Sequence, residues 1–128
     1  MKTKPSANRA KLKKLAKVMQ FLHKPDCPTC RKARNIMKKR GYRLKPRDIW
    51  KDRLTAAELE KLIGHRDHTE FLNTKSKMYK QKRMKEEPPS RREAIGLMAK
   101  EPSLIRRPII VAGGRVVVAF DESGRLRL

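Results

Sequence analysis

Residues 18–42 read VMQFLHKPDCPTCRKARNIMKKRGY and combine a strand pattern, two cysteines and a helix pattern. Val18–His23 is a short, mostly apolar run ended by Pro25, which is typical of a β-strand. We expect a helix to begin near Cys27, because the proline that follows it is tolerated in a first helical turn. Gly41 is expected to end that helix. The segment therefore predicts a strand followed by a helix that carries C-x-x-C at its start.

The position of Cys27 predicts a reactive thiol. The unpaired N–H groups of a helix N-terminus favour a thiolate, and Arg31 adds positive charge nearby. We therefore expect Cys27 to have the lower pKa and to act as the attacking thiol, with Cys30 one turn later as the resolving thiol. The alternative interpretation is two structural cysteines that happen to be close in sequence.

A zinc site is a second alternative for the cysteine pair. Its other ligands would be His23, or the pair His65 and His68. The separation between Cys30 and His65 is far longer than in compact zinc fingers, and His-x-x-His is tighter than their usual spacing. We therefore predict no metal site and expect the three histidines to be solvated loop residues.

The rest of the chain predicts a small α/β domain. Weak alternation over Arg43–Trp50 suggests a second strand, at an edge of the sheet because it contains Pro46. Thr55 and Glu58 form a capping box at the start of another helix. The remaining expected elements are short helical pieces over 69–84, a helix over 91–100, and a hairpin of 108–111 and 115–120 with Gly113 and Gly114 between its strands. This order predicts an α/β fold with one small mixed sheet.

Length and composition exclude several classes of protein. The chain has 128 residues, 35 Lys and Arg, 13 Asp and Glu, and a formal net charge of +22, which favours one domain and anionic partners. Apolar runs such as 109–112 are too short to span a membrane, and no signal-peptide core follows the basic N-terminus. Two cysteines this close in sequence cannot staple a secreted fold. We expect a cytoplasmic monomer without membrane association.

The positive charge is concentrated in separate segments. Residues 1–17 carry seven basic residues and no acid, which predicts a flexible basic arm before a domain over 18–128 with a helical insertion at about 55–100. Lys75–Arg92 contains eight basic residues and two acids, and Arg31–Arg40 is a further basic cluster. Non-specific, salt-dependent nucleic-acid binding is therefore an alternative function.

Arg107 and Pro108 precede the first strand of the predicted hairpin. Proline is allowed as the first residue of a strand. An arginine beside it can present a planar fork of donors to an oxyanion or a sulfenate. Without further context the pair is also consistent with a loop-ending proline and a solvated arginine.

Three segments together resemble the ArsC/Spx family of arsenate reductase-like proteins. They are HKPDCPTCRKARNIMKKRGY at 23–42, LNTKSKMYK at 72–80 and EPSLIRRPIIVAGGRVVVAFDE at 101–122. The resemblance extends over about residues 18–122 in family order and implies a thioredoxin-like fold with an inserted helical subdomain. It also implies that Cys27 is the active cysteine, that Pro108 is the cis-proline, and that Arg107 is the arginine before it.

The resemblance implies arsenate reduction as the activity. Cys27 would attack arsenate at arsenic while Arg107 holds the oxyanion, and attack by a second thiol would release arsenite. Lys75 stands where the family usually has an arginine, and it keeps the charge but lacks the bidentate fork. The predicted substrate-binding residues are Lys75, Arg107, Pro108 and Arg31. No cofactor is expected beyond a thiol electron donor such as glutathione, glutaredoxin or thioredoxin.

The same resemblance supplies an alternative function. C-x-x-C is the arrangement of the transcriptional regulator Spx, whereas many arsenate reductases carry only the first cysteine. The alternative is therefore a redox-sensing regulator that binds RNA polymerase, with the cysteine pair as the sensor. The enzyme is the preferred hypothesis, and the sequence leaves the regulator open.

Overall fold

The computed structural model describes residues 18–118. Their strands are β1 (Val18–His23), β2 (Arg43–Asp48), β3 (Ile109–Ala112) and β4 (Arg115–Val118). Their α-helices are α1 (Pro28–Lys39), α2 (Ala56–Ile63), α3 (Lys77–Gln81) and α4 (Arg91–Lys100), with short 3-10 helices at His68–Phe71 and Pro102–Leu104. The predicted basic arm over 1–17 and the end of the predicted hairpin, 119–120, lie outside the described residues.

The strands form one mixed sheet in the order β2-β1-β3-β4. β1 and β2 are parallel and are connected through α1, whereas β3 is antiparallel to both β1 and β4. β2 lies at an edge and contains an exposed Pro46, as the sequence predicts. The prediction of an α/β fold with a small mixed sheet is therefore confirmed.

Local sequence signals explain where the helices begin and where the hairpin turns. The side chain of Thr55 accepts a hydrogen bond from the Glu58 N–H, and the Glu58 side chain accepts one from the Thr55 N–H, so the predicted capping box is confirmed. Ser90 and Glu93 form a second capping box at the start of α4. Gly113 and Gly114 have φ angles of 51° and 83°, which a two-residue hairpin turn of this hand requires.

The core lies on both faces of the sheet because β1 is a central strand. Phe21 and Ile110 pack with Ala33 and Met37 of α1 on one face. Neighbouring residues Leu22 and Ile109 point the other way, since side chains alternate along a strand. They join a larger cluster with residues from the segment between β2 and β3: Ile49, Leu59, Ile63, Phe71, Leu72, Ala94, Ile95, Met98 and Leu104.

Backbone contacts bring the segment between β2 and β3 close to the start of β3. Leu72 and Ile105 form an isolated antiparallel bridge. The Arg106 N–H donates to the Phe71 carbonyl at 2.8 Å, and the Asn73 N–H donates to the Leu104 carbonyl at 2.8 Å. These bonds fix the chain immediately before Arg107. No helix in residues 18–118 has the length and apolar character needed to cross a membrane.

Candidate functional site

Cys27 lies between the end of β1 and the start of α1. It is the N-cap residue of α1, in an extended conformation, and its N–H donates to the Lys24 carbonyl at 3.0 Å. Its own carbonyl accepts the Arg31 N–H at 2.9 Å, and Pro28 begins the helix, as predicted. The first turn of α1 contains no acidic residue. The thiol therefore faces the partial positive charge of a helix N-terminus.

The pKa of Cys27 lies below the ordinary value of a thiol. Burial is the largest single influence and would raise this pKa, but the combined interactions that favour the thiolate outweigh it. They come from the N–H and thiol of Cys30, the charge of Arg107 and the Thr29 N–H. Neither N–H reaches the geometry of a full capping hydrogen bond, so these are electrostatic contacts around a partly exposed sulfur.

Cys30 has the opposite environment. Its side chain is 0% exposed, and burial raises its pKa to about 12. The negative charge and the sulfur of Cys27 act in the same direction, because both favour a protonated thiol at Cys30. Both cysteines are free thiols. The predicted order of the two pKa values is therefore found in the structure, whereas the attacking and resolving roles stay predictions.

Arg107 is brought to the thiols by the pairing of β3 with β1. Leu22 is opposite Ile109, so Arg107 and Pro108 lie beside the turn that leads from β1 to Cys27. The Arg107–Pro108 peptide bond is cis, as the resemblance implies. Nη1 of Arg107 donates to the Ile105 carbonyl at 3.4 Å, and its buried Nε has no hydrogen-bond partner among residues 18–118. A half-buried guanidinium with an unused donor is suited to an anionic ligand.

The other predicted substrate-binding residues are exposed. Arg31 is on α1, where its Nη2 lies 3.4 Å from the Asp26 carbonyl. Lys75 is in the loop before α3, and its N–H donates to Asn73 Oδ1 at 3.1 Å. The arginine charge that lowers the pKa of Cys27 is that of Arg107. The substrate-binding roles of Arg31 and Lys75 stay predictions.

Trp50 is part of this site, although sequence patterns did not identify it. It follows β2 and is half-buried, and the Arg107 Cζ lies 4.7 Å from its ring centroid. The Lys24 Nζ lies 5.0 Å from the same centroid. The signal available in the sequence was that the single tryptophan of the chain follows a strand parallel to β1, at the end where Cys27 lies.

The expectation that all three histidines are solvated is wrong for His23. As the last residue of the central strand β1, it is only 3% exposed and packs edge-on against Phe21, with 5.0 Å between ring centroids. Burial and the charge of Arg34 lower its pKa, while Asp48 opposes them. His65 is exposed, whereas His68 is half-buried, with its Nε2 2.9 Å from the Pro89 carbonyl.

Metal ligands do not gather in the described part of the chain. No group of three or more His, Cys, Asp or Glu side chains within residues 18–118 is arranged to hold a metal ion. His23 is the histidine nearest in sequence to the cysteines, and its side chain is committed to the core beside Phe21.

The basic segment Lys75–Arg92 surrounds a separate surface cavity. The cavity has a volume of about 520 Å³ and is lined by Thr74, Tyr79, Lys80, Lys85 and Glu86. Most basic side chains of the segment are exposed, but Arg91 is half-buried and pairs with Glu60 at 2.9 Å. Nucleic-acid binding by this segment stays a prediction.

Comparison with known proteins agrees with the fold and with the resemblance. Residues 22–127 match the ArsC family. The global transcriptional regulators Spx of Streptococcus mutans and Enterococcus faecalis are 31% and 33% identical over 100 residues, which cover 77% of this chain and 73% and 76% of theirs. A solved structure of a possible arsenate reductase from Streptococcus mutans UA159 is 27% identical, with a TM-score of 0.67 over 77% of this chain and 87% of its own. The thioredoxin-like fold class is thereby confirmed, and this chain belongs to the ArsC family.

Proposed function

We propose that this protein is a thiol–disulfide redox protein in which Cys27 attacks an oxidised substrate and Cys30 resolves the adduct. The observation that carries the proposal is the opposite environment of the two thiols. Cys27 is partly exposed at a helix N-terminus and has a lowered pKa, whereas Cys30 is buried one helical turn later and has a raised pKa. Such a division lets one thiol react first and holds the other protonated until it is needed.

Membership in the ArsC family suggests arsenate as the oxidised substrate. The thiolate of Cys27 attacks arsenic, an As–S bond forms, and a protonated oxygen leaves as water. The oxidation state of arsenic is unchanged in this step. Arg107 supports it, because the charge of its guanidinium favours the Cys27 thiolate and would stabilise the arsenate oxygens beside it.

The second step transfers the electrons. Cys30 loses its proton and attacks the sulfur of Cys27, so that an S–S bond forms and the As–S bond breaks with its electron pair on arsenic. Arsenic(V) becomes arsenic(III), which is released as arsenite, and two thiols become one disulfide. An external thiol donor, either glutathione or a dithiol protein of the glutaredoxin or thioredoxin type, then reduces that disulfide. The proposal therefore requires a reducing compartment such as the cytoplasm.

Incubation of the reduced full-length chain with arsenate tests the proposal. Arsenite release and the mass of a Cys27–Cys30 disulfide are measured together in the absence of an external thiol. One arsenite per disulfide is expected, and glutathione or thioredoxin should convert this single event into turnover. Cys27→Ser should abolish both products with or without an external thiol. Cys30→Ser should also abolish both in its absence, because no second thiol remains to reduce arsenic, and should release arsenite only when glutathione is added. Arsenite formed by Cys27→Ser at the wild-type rate would contradict the assignment.

A redox-sensing regulator is the second candidate. It is favoured by the identity of 31% and 33% to two proteins named as the global transcriptional regulator Spx. In this function the same pair of thiols forms a disulfide with a cellular oxidant, and the oxidation changes the affinity of the protein for RNA polymerase. The exposed basic residues near the start of α1, such as Arg31, would contribute to that surface.

Binding to RNA polymerase in each redox state separates the two candidates. The regulator is supported if diamide-oxidised protein binds purified polymerase more tightly than protein kept reduced, and if Cys30→Ser removes the difference. If the protein binds polymerase in neither redox state and releases one arsenite per disulfide, the regulator is excluded and the enzyme is supported. If the protein binds polymerase but releases no arsenite, the enzyme is excluded and the regulator is supported.

A further inference from the structure

Trp50 occupies a fixed position at the end of the sheet where Cys27 lies. Its backbone N–H donates to Asp48 Oδ1 at 2.9 Å, and the same carboxylate oxygen accepts the backbone N–H of Lys51 at 3.3 Å. Asp48 is paired with His23 in the parallel ladder of β1 and β2. Trp50 therefore follows β2 at the end of the sheet where β1 also ends and the chain turns toward Cys27.

Two cations lie against the tryptophan ring. Arg107 approaches from the segment before β3 with its Cζ 4.7 Å from the ring centroid, and Lys24 approaches from the turn after β1 with its Nζ at 5.0 Å. Both distances are within the range of a cation–π interaction, and tryptophan is the ring that binds cations most strongly. The three segments that border the site thus meet at Trp50.

Few other contacts hold the guanidinium of Arg107. Its hydrogen bond to the Ile105 carbonyl is long, at 3.4 Å, and within the described part of the chain its buried Nε has no hydrogen-bond partner. An arginine side chain has several freely rotating bonds, so a guanidinium held by one long hydrogen bond would sample many positions. The indole ring, with its centroid 4.7 Å from the Arg107 Cζ, is therefore the contact best placed to restrict the guanidinium.

We propose that Trp50 is a positioning residue: its indole ring holds the Arg107 guanidinium toward Cys27. This inference rests on the proposed function, in which Arg107 stabilises the Cys27 thiolate and clamps the oxyanion. The resemblance to the ArsC family supplies the arginine and the proline but assigns nothing to the tryptophan. A residue that merely fills the core would affect stability and leave the thiol unchanged.

The test measures the reactivity of Cys27, which does not require the substrate to be known. The rate of alkylation of Cys27 by iodoacetamide is followed by mass spectrometry across a pH series in the reduced full-length chain. Wild type is compared with Trp50→Leu, Trp50→Phe, Arg107→Gln and the double variant Trp50→Leu/Arg107→Gln. Leu62→Ala is the matched control, because Leu62 is also a half-buried side chain packed on the larger core cluster.

At a pH below the midpoint of the profile, Trp50→Leu should slow alkylation by about two- to fivefold, which corresponds to a cation–π contact of ordinary strength. Trp50→Phe should retain part of the wild-type rate because phenylalanine keeps an aromatic face. In the Arg107→Gln background, Trp50→Leu should cause no further loss, since the two residues act through one interaction. Leu62→Ala should lower the denaturation midpoint and leave the alkylation profile in place.

Three outcomes would overturn the inference, and they separate it from the proposed function. If Arg107→Gln slows alkylation and folded Trp50→Leu does not, the positioning role is wrong and the redox proposal stands. If the losses of the single variants multiply in the double variant, Trp50 acts independently of Arg107. If Arg107→Gln does not change the alkylation rate, the proposed roles of Arg107 and Trp50 are both wrong. The disulfide and arsenite measurements then still test the proposed roles of Cys27 and Cys30.

Discussion

Cys27 and Cys30 lie three residues apart at the start of α1, and their environments shift their pKa values in opposite directions. The pKa of Cys27 is held below the ordinary value because N–H groups, the Cys30 thiol and Arg107 together outweigh the effect of burial. The pKa of Cys30 rises to about 12, chiefly because its side chain is withdrawn from water. The fold thus gives two chemically identical side chains different reactivities: the Cys27 thiol ionises readily, and the Cys30 thiol stays protonated.

This difference predicts selective labelling of the reduced protein. At neutral pH, a limiting amount of iodoacetamide should modify Cys27 more than about a hundredfold faster than Cys30, because only the thiolate reacts and Cys30 is almost fully protonated. Peptide mass spectrometry measures the ratio. Labelling in urea should bring the two rates close together, which is the control for intrinsic differences. Preferential labelling of Cys30 in the folded protein would contradict the assignment.

The raised pKa of Cys30 also predicts a loss of stability in alkaline solution. The unfolded chain releases this proton near the ordinary value of 9.0, whereas the folded chain holds it until about 12. The full contribution is therefore present below 9.0 and is lost as the pH rises, by about 1.4 kcal/mol per pH unit within that window. Urea unfolding of wild type and Cys30→Ser under reducing conditions measures the difference, in which other titrating groups cancel.

Cys27→Ser is the matched control for the alkaline experiment. The pKa of Cys27 is lowered in the folded state, so its contribution to stability is present above the ordinary thiol pKa and is lost as the pH falls. The stability gap between wild type and Cys27→Ser should therefore grow with pH, whereas the gap for Cys30→Ser should move in the opposite direction. Gaps that move in parallel would show that the two thiols do not have distinct environments.

A second relationship joins β2 to the start of α2. Arg47 donates to the two carboxylate oxygens of Glu58 at 2.6 and 3.1 Å, which lowers the pKa of Glu58 to about 2. Glu58→Gln should cost about 1 kcal/mol at neutral pH, a modest value because solvent screens this partly exposed pair. Glutamine can retain the capping box, so the change isolates the charge.

The pH dependence of this effect follows from the direction of the shift. A lowered pKa makes the stabilisation present above the ordinary value of 4.5 and removes it as the pH falls toward about 2. The difference between wild type and Glu58→Gln in urea unfolding should therefore shrink in acid. Glu60→Gln, which removes the exposed pair with Arg91, is the control and should cost less than about 0.5 kcal/mol. An equal loss in both variants would contradict the special role of the Arg47 pair.

Much of the fold could be predicted because its signals are local. Pro25 marks the end of β1 and Gly41 the end of α1, and Thr55 with Glu58 marks the start of α2 within a few residues of sequence. The glycine pair between β3 and β4 fixes a two-residue turn in the same way. Cys27 could be placed for the same reason, since the order of strand, proline and helix determines where the thiol lies.

The rest depends on contacts between distant segments. Trp50 and Arg107 meet only because β2 and β3 both pair with β1, and neither residue carries a local signal for the other. His23 was expected in solvent, but it ends a central strand that is covered on both faces, so its side chain is buried beside Phe21. Periodicity identifies a strand, whereas its place in the sheet decides how much of it is buried.

The difference in exposure between Arg107 and the other predicted anion-binding residues leads to the last prediction. Phosphate, an unreactive tetrahedral oxyanion, should change the fluorescence of the single tryptophan in a saturable way, because Arg107 lies against the ring and is the residue proposed to bind the oxyanion. Arg107→Gln should weaken this binding by about tenfold or more, since a charge-assisted hydrogen bond to a half-buried group is lost. Arg31→Gln and Lys75→Gln, at exposed positions, should weaken it by less than about fivefold. A loss in Lys75→Gln as large as that in Arg107→Gln would contradict the assignment of Arg107 as the principal oxyanion clamp.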